Sequence, residues 1–144
     1  DDDIFAKFGN KKFWLSSSGY VLFYFEKRKV VFHRIICNAP KDYVVDHVNG
    51  NKLDNLSSNL RVCKTKENIR NSGIRKDNTS GYKGVSWRKD RKIYTVHIQK
   101  DKRKINLGCF KSLKVAGLAY NTAAKELFGE YARLNEIKKN EKRI

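Results

Sequence analysis

The sequence predicts an α+β protein in which antiparallel strands lead into a compact strand-strand-helix unit, followed by a three-stranded antiparallel sheet packed on one helix. Three observations predict it. Short β-type runs recur between clusters of turn residues; a helix pattern follows the strands twice, over about 66–71 and 113–128; and between them NSGIRKDNTS loses apolar periodicity while keeping its charge. The implied organisation is a first domain over 1–71 with its central motif at 43–71, a linker over 72–80, a second domain over 81–135 and a basic tail over 136–144.

Phe13-Trp14-Leu15 and Tyr20 to Phe25 read as strands joined by the turn Ser16 to Gly19, and the charged turn Glu26 to Lys29 returns the chain into Val30 to Ile36. This is an antiparallel meander. His33 lies between Phe32 and Arg34 on a strand or short helix; it is either a structural histidine or a phosphate contact at the edge of a site, and stays outside the catalytic set. Ala39 to Asp42 then forms the turn that feeds Tyr43-Val44-Val45.

That apolar run ends in Asp46 and His47, so two chemically capable side chains stand at a strand terminus beside a loop. The loop Val48 to Ser58 is rich in Asn, Gly, Asp and Ser, which make Asx turns and tolerate left-handed backbone. Asn59 to Val62 reads as the returning strand, and Thr65 as the cap of a helix over about 66–71 with Asn68 in its first turns. His47, Asp46, Asn59 and Asn68 can converge. Phosphodiester hydrolysis uses those types: an imidazole to take a proton from water, a carboxylate and an amide oxygen for a hard divalent cation, and a further amide to hold the imidazole tautomer.

The run YVVDHVNGNKLDNLSSNLRVCKTKENIRN resembles the HNH endonucleases, specifically the homing-type branch with VDHxNGNxxDN, NLRxC and ENxRN, in which the third motif position is Asn. The GY pair at Gly19-Tyr20 and the run His33 to Lys41 match the same branch, as does the spacing of twelve residues from His47 to Asn59 and nine more to Asn68. The resemblance implies a ββα-metal fold with His47 as general base and Asn59 orienting it. It implies Asp46 and Asn68 as ligands of one divalent cation, Mg²⁺ or Mn²⁺.

Composition points the same way. The 144 residues suffice for one ordinary domain or two small ones. Lys and Arg number 32 against 15 Asp and Glu, a formal charge of +17 that calls for a polyanionic partner. Cys37, Cys63 and Cys109 are odd in number, with no CxxC pair and no Cys/His cluster at zinc spacing, so no structural zinc is expected and the thiols are expected to be reduced. No apolar run approaches a membrane span and no signal peptide is apparent, which implies an intracellular protein with no membrane partner. The chain lacks Met and begins with Asp, so its natural start is expected upstream.

In the second domain Tyr82 to Arg88, Ile93 to Gln99 and Lys104 to Phe110 read as three strands joined by charged turns. On the middle strand Tyr94, Val96 and Ile98 alternate with Thr95, His97 and Gln99, giving one core face and one polar face. Ser112 caps a helix over about 113–128, where Val115, Ala119, Ala123 and Leu127 form an apolar stripe expected to cover the sheet, and Gly129 stops it. GYKGVSW, INLGCF, AYNTAAKELFG and ARLN resemble the AP2 DNA-binding domain over roughly 78–135. The resemblance implies double-stranded DNA in contact with Lys83, Ser86, Arg88, Thr95, His97, Gln99, Lys104 and Asn106, and a phosphate near Tyr120. Plant members carry Arg where this chain has Lys83 and Ser86, and Trp in place of Asn106. The base preference therefore differs, with Gln99 and Asn106 suited to adenine.

The expectation is a metal-dependent homing-type DNA endonuclease. A DNA-binding regulator with an inactive nuclease fold and a structure-selective or RNA-acting nuclease remain alternatives. Monomer or dimer, and nick or double-strand break, stay open.

Overall fold

The computed structural model describes residues 2–138 and divides between Asn71 and Ser72 into two compact units. Both mix helix with antiparallel sheet. In the first, helix α1 (Asp2–Phe8) precedes the meander β1 (Phe13–Leu15), β2 (Val21–Phe25) and β3 (Arg28–Val31). The β2–β3 connection is tighter than the expected four-residue turn: Glu26 and Lys27 alone make it, both at positive φ, as a two-residue hairpin of primed type demands.

A strand through Ile36 is not found. The chain leaves β3 at Val31 and coils into α2 (Phe32–Ile36). β-branched and aromatic residues favour a strand locally, but tertiary packing overrides that preference. The helical turn puts the Phe32 ring 5.7 Å from Phe23 and 6.0 Å from Phe8, inside an aromatic core whose Phe23 is fully buried. Each such ring contributes about 1.5–3 kcal/mol. Arg34 leaves the same turn in another direction and donates to the carbonyls of Tyr43 (2.7 Å), Pro40 (2.8 Å) and Ala39 (3.2 Å), fastening the turn that enters β4.

β4 (Val44–His47) pairs antiparallel with β5 (Leu60–Cys63), placing Asp46 opposite Arg61 and His47 opposite Leu60. Asn59, expected on this strand, ends a short 3₁₀ turn before it. α3 (Thr65–Arg70) starts one residue earlier than expected, with Lys64 at the cap in place of Thr65; the Glu67 carboxylate accepts the Lys64 backbone N–H at 2.7 Å.

The second unit is the antiparallel sheet β6 (Val85–Arg88), β7 (Ile93–Lys100) and β8 (Arg103–Phe110), with α4 (Leu113–Phe128) packed on it. Ser112 caps α4 through its Oγ, which accepts the Val115 N–H at 3.4 Å. The face of α4 that meets the sheet is only partly the expected stripe, of which Ala123 and Leu127 pack at its edge. Ala116, Gly117, Tyr120, Ala124 and Phe128 are buried, whereas Val115 is 48% exposed, so the helix is rotated by one residue.

Two glycines explain the rotation. A Cβ on Gly84 would lie 2.2 Å from the Tyr120 ring, and one on Gly117 would lie 2.6 Å from the Tyr82 ring. Each tyrosine sinks into the notch a glycine leaves. Gly84, at φ 76°, also starts β6 at Val85, three residues after the expected Tyr82. Within the expected linker, Asn78 and Ser80 already belong to this unit, donating to the Tyr82 and Val85 carbonyls. Asn135 closes it by exchanging hydrogen bonds with the Lys83 backbone and with Asn121. Of the basic tail, residues 139–144 lie outside the described residues.

Candidate active site

The loop between β4 and β5 is a chain of Asx turns. Asn49 Oδ1 accepts from the Asn51 N–H (2.8 Å), Asn51 Oδ1 from the Leu53 N–H (3.1 Å) and Asp54 Oδ1 from the Leu56 N–H (3.4 Å), with Gly50 at φ 77° where the path requires it. The compact return expected from composition is present. Asn59 closes it: Oδ1 accepts the Asn49 N–H at 3.0 Å and Nδ2 donates to the Asp54 carbonyl at 2.8 Å. Both ends of its amide are spent on the loop, so Asn59 shapes the rim of the site and makes no hydrogen bond to the His47 ring. The amide that meets His47 belongs to Asn55, whose Oδ1 is 3.3 Å from Nε2.

That contact fixes the tautomer. An amide oxygen only accepts, so Nε2 carries the hydrogen and Nδ1 holds the lone pair. His47 is 5% exposed. Its Nδ1 makes no hydrogen bond to a described residue yet is not shut off from solvent, the condition a proton acceptor needs.

Asp46 is likewise 5% exposed, and its carboxylate is already engaged. Arg61 donates to Oδ2 from Nη2 (2.6 Å) and Nε (2.9 Å), while Asn71 Nδ2 lies 3.0 and 3.1 Å from the two oxygens. The same amide reaches the carbonyls of His47 (3.0 Å) and Val48 (3.3 Å), so a residue just after α3 ties down the end of β4. Asn68, one turn earlier on α3, is half-buried, and its side-chain amide has no hydrogen-bond partner among the described residues.

These donors suit a divalent cation in kind. They are hard oxygens, and an ionised carboxylate has about four lone-pair positions, so Asp46 keeps capacity beyond its bonds to Arg61 and Asn71. The described residues contain no group of three His, Cys, Asp or Glu that could hold a metal, so Asp46 and Asn68 would need phosphate oxygens or water to complete a shell. Asn55 and Asn71 received no catalytic role from sequence. Asn55 and Asn71 stand inside the quoted DN and ENxRN runs, but residue type alone does not separate them from Asn59 and Asn68.

In the second unit the ladder aligns Ser86 with Thr95 and Cys109, His97 with Asn106, and Gln99 with Lys104. Arg88 falls on the same face through Ile93. A bulge at Leu107, between the pairs Val96–Gly108 and His97–Asn106, preserves one polar face along the whole sheet. Arg88 is paired with Asp90 at 3.0 Å. His97 is pushed below its ordinary value by burial and by Lys104. Lys83 precedes the ladder: it donates to the Ser72 carbonyl at 2.6 Å, and burial followed by Arg133 lowers its pKa to about 8. Tyr120 is 3% exposed, its ring in the core, with burial raising its hydroxyl to about 12. The ring, sunk against Gly84, is a packing element.

A strand pair that ends in Asp-His, an Asx-turn loop and a following helix make up the centre of the first unit, and comparison with known proteins says what that unit resembles. Residues 30–70 match the family model described as HNH endonuclease. An uncharacterized HNH endonuclease of Acanthamoeba polyphaga mimivirus is 35% identical over 136 residues, 88% of this chain and 67% of that protein. The chain belongs to the HNH endonuclease family. Protein 3.8 of Escherichia phage T7 is 38% identical over 94 residues, 65% of this chain and 77% of that protein. No solved structure matches.

Proposed function

We propose that the protein is a metal-dependent endonuclease of homing type that acts inside the cell on double-stranded DNA at a recognised site. The observation that carries this is the His47 ring, held through Nε2 by Asn55 with Nδ1 left to accept a proton, one residue from the Asp46 carboxylate. His47 removes a proton from water, and the oxygen attacks phosphorus as the bond to the 3′ oxygen breaks; that oxygen takes up a proton from solvent, and the products are a 5′ phosphate and a 3′ hydroxyl. General-base help is worth about two to four powers of ten. Asp46 and Asn68 are the residues to hold one divalent cation, Mg²⁺ or Mn²⁺, which when bound supplies charge stabilisation at the phosphate and the leaving oxygen.

The first unit is read as a ββα-metal domain and the second as an AP2-like grip. On that reading Ser86, Arg88, Thr95, His97, Gln99, Lys104 and Asn106 face the DNA. What supports it is the single polar face that the ladder assembles and the charge of +17. A second reading, a DNA-binding regulator with a silent nuclease unit, draws on the engagement of Asp46 by Arg61 and Asn71.

Supercoiled plasmid carrying random inserts, incubated with Mg²⁺ or Mn²⁺ and with EDTA, separates the two. Cation-dependent nicking or linearisation that disappears in His47→Ala, with DNA affinity retained, supports the nuclease. Salt-sensitive duplex binding without cleavage under either cation supports the regulator.

A further inference from the structure

His33 is 6% exposed, and among the described residues its Nδ1 is the buried side-chain polar atom without a hydrogen-bond partner. Hydrogen bonding therefore does not explain its place in the fold. Ring contact does. The His33 ring stands at 86° to His47 with centroids 5.0 Å apart, and at 72° to Tyr20 at 5.1 Å, while Tyr20 stacks on His47 at 6.1 Å and 29°. Three rings thus meet pairwise, and two of them enclose the third. The enclosure is anchored on both sides. Lys52 sits over the Tyr20 ring at 4.5 Å and donates to the Ser18 carbonyl, and the Arg34 bonds to the 39–43 turn hold the helix that carries His33.

We propose that His33 is a positioning residue of the nuclease: with Tyr20 it clamps the His47 imidazole so that Nε2 stays on Asn55 and Nδ1 stays directed at the attacking water. The inference rests on the reading of His47 as general base. Edge contact between rings is directional as well as adhesive, so it restricts rotation of the imidazole. Burial, then His47 and Arg34, hold the His33 pKa at about 4, which keeps the clamp uncharged beside a ring that gains a proton in each turnover. Small displacement of a reacting group is costly, about a hundredfold in rate for 1 Å.

The test compares His33→Phe, His33→Gln and His33→Ala with wild type and His47→Ala in plasmid cleavage, separating kcat from KM, with thermal unfolding to confirm the fold. Phe keeps a ring, Gln keeps polarity and volume without one. The expected result is a loss of about tenfold to a hundredfold in kcat for Gln and Ala at unchanged KM, and recovery of most of it in Phe. Wild-type kcat in a folded Ala variant overturns the proposal, and so does an active Gln beside an inactive Phe. Cleavage that survives His47→Ala sinks the nuclease mechanism instead. NMR of the His47 ring nitrogens supplies a readout without turnover: the ¹⁵N signature of the tautomer protonated at Nε2 is lost in Ala and kept in Phe. An unchanged His47 signature in the Ala variant overturns the clamp whether or not the wild type cuts DNA.

Discussion

Arg61 grips Asp46 from the facing position on β5, with Nη2 2.6 Å and Nε 2.9 Å from a single carboxylate oxygen. Both side chains are largely buried, 16% and 5% exposed, so the pair is screened far less than a surface ion pair. Asn71 completes the grip from the end of α3. Asn71→Ala is expected to cost about 1–3 kcal/mol, because Asp46 and the His47 carbonyl lose a buried donor. Asn71→Asp is expected to cost more, since it sets a second carboxylate against the first. Urea unfolding measures both, and equal stability of the two variants would contradict that repulsion.

Asn55 and Asn59 are separable by experiment. Asn55→Ala removes the acceptor that fixes the His47 tautomer, and is expected to lower kcat about tenfold to a hundredfold with DNA affinity unchanged. Asn59→Ala takes both anchors from the loop, so its expected effect is on stability first, about 1–3 kcal/mol. Urea midpoints together with kcat distinguish the two; a destabilised Asn55→Ala beside a stable Asn59→Ala would reverse the assignments.

His33 makes stability depend on pH. Its folded pKa of about 4 lies below the ordinary 6.5, so between those values the unfolded chain holds a proton that the folded one does not. Stability from this group is full above about 6.5 and falls as pH drops toward about 4. The whole effect is about 3 kcal/mol at most, since each tenfold change in proton affinity is worth about 1.4 kcal/mol. Urea titrations across this window are expected to show a shallower slope in His33→Phe than in wild type. Identical slopes would mean that His33 carries no such linkage.

Local chemistry makes the centre of the first unit readable. Asx turns at Asn49, Asn51 and Asp54 follow from composition, and the apolar run into Asp46 and His47 marks a strand end. What residue type does not settle is which amide meets which partner. Asn49, Asn55, Asn59, Asn68 and Asn71 are chemically alike, and only the folded backbone sends Asn55 to His47 and Asn71 to Asp46. The helix at Phe32–Ile36 is hidden for a related reason: its residues favour a strand, and the aromatic cluster with Phe8 and Phe23 decides otherwise. On α4 the apolar spacing runs one residue out of phase with the buried face, because the notches at Gly84 and Gly117 that receive Tyr120 and Tyr82 are invisible to periodicity.

The phase of α4 decides that Tyr120 packs on the core side of the sheet, away from its polar face. Lys104 and Gln99 pair on the polar face, whereas Tyr120 faces the opposite side of the sheet, in the core. Lys104→Ala is expected to weaken duplex binding at every sequence and to reduce the slope of log K against log salt by about one. Tyr120→Phe, which keeps the ring in its notch, is expected to leave both affinity and slope as they are. Gly84→Ala is the control for the packing: its Cβ would meet the Tyr120 ring at 2.2 Å and the His97 carbonyl at 2.6 Å, on backbone at φ 76°, so the unit should lose several kcal/mol or fail to fold. Fluorescence anisotropy with labelled duplex over a salt series reads the first two variants, and circular dichroism reads the third. A Tyr120→Phe protein whose salt slope falls by about one would return Tyr120 to the phosphate and place the polar face elsewhere.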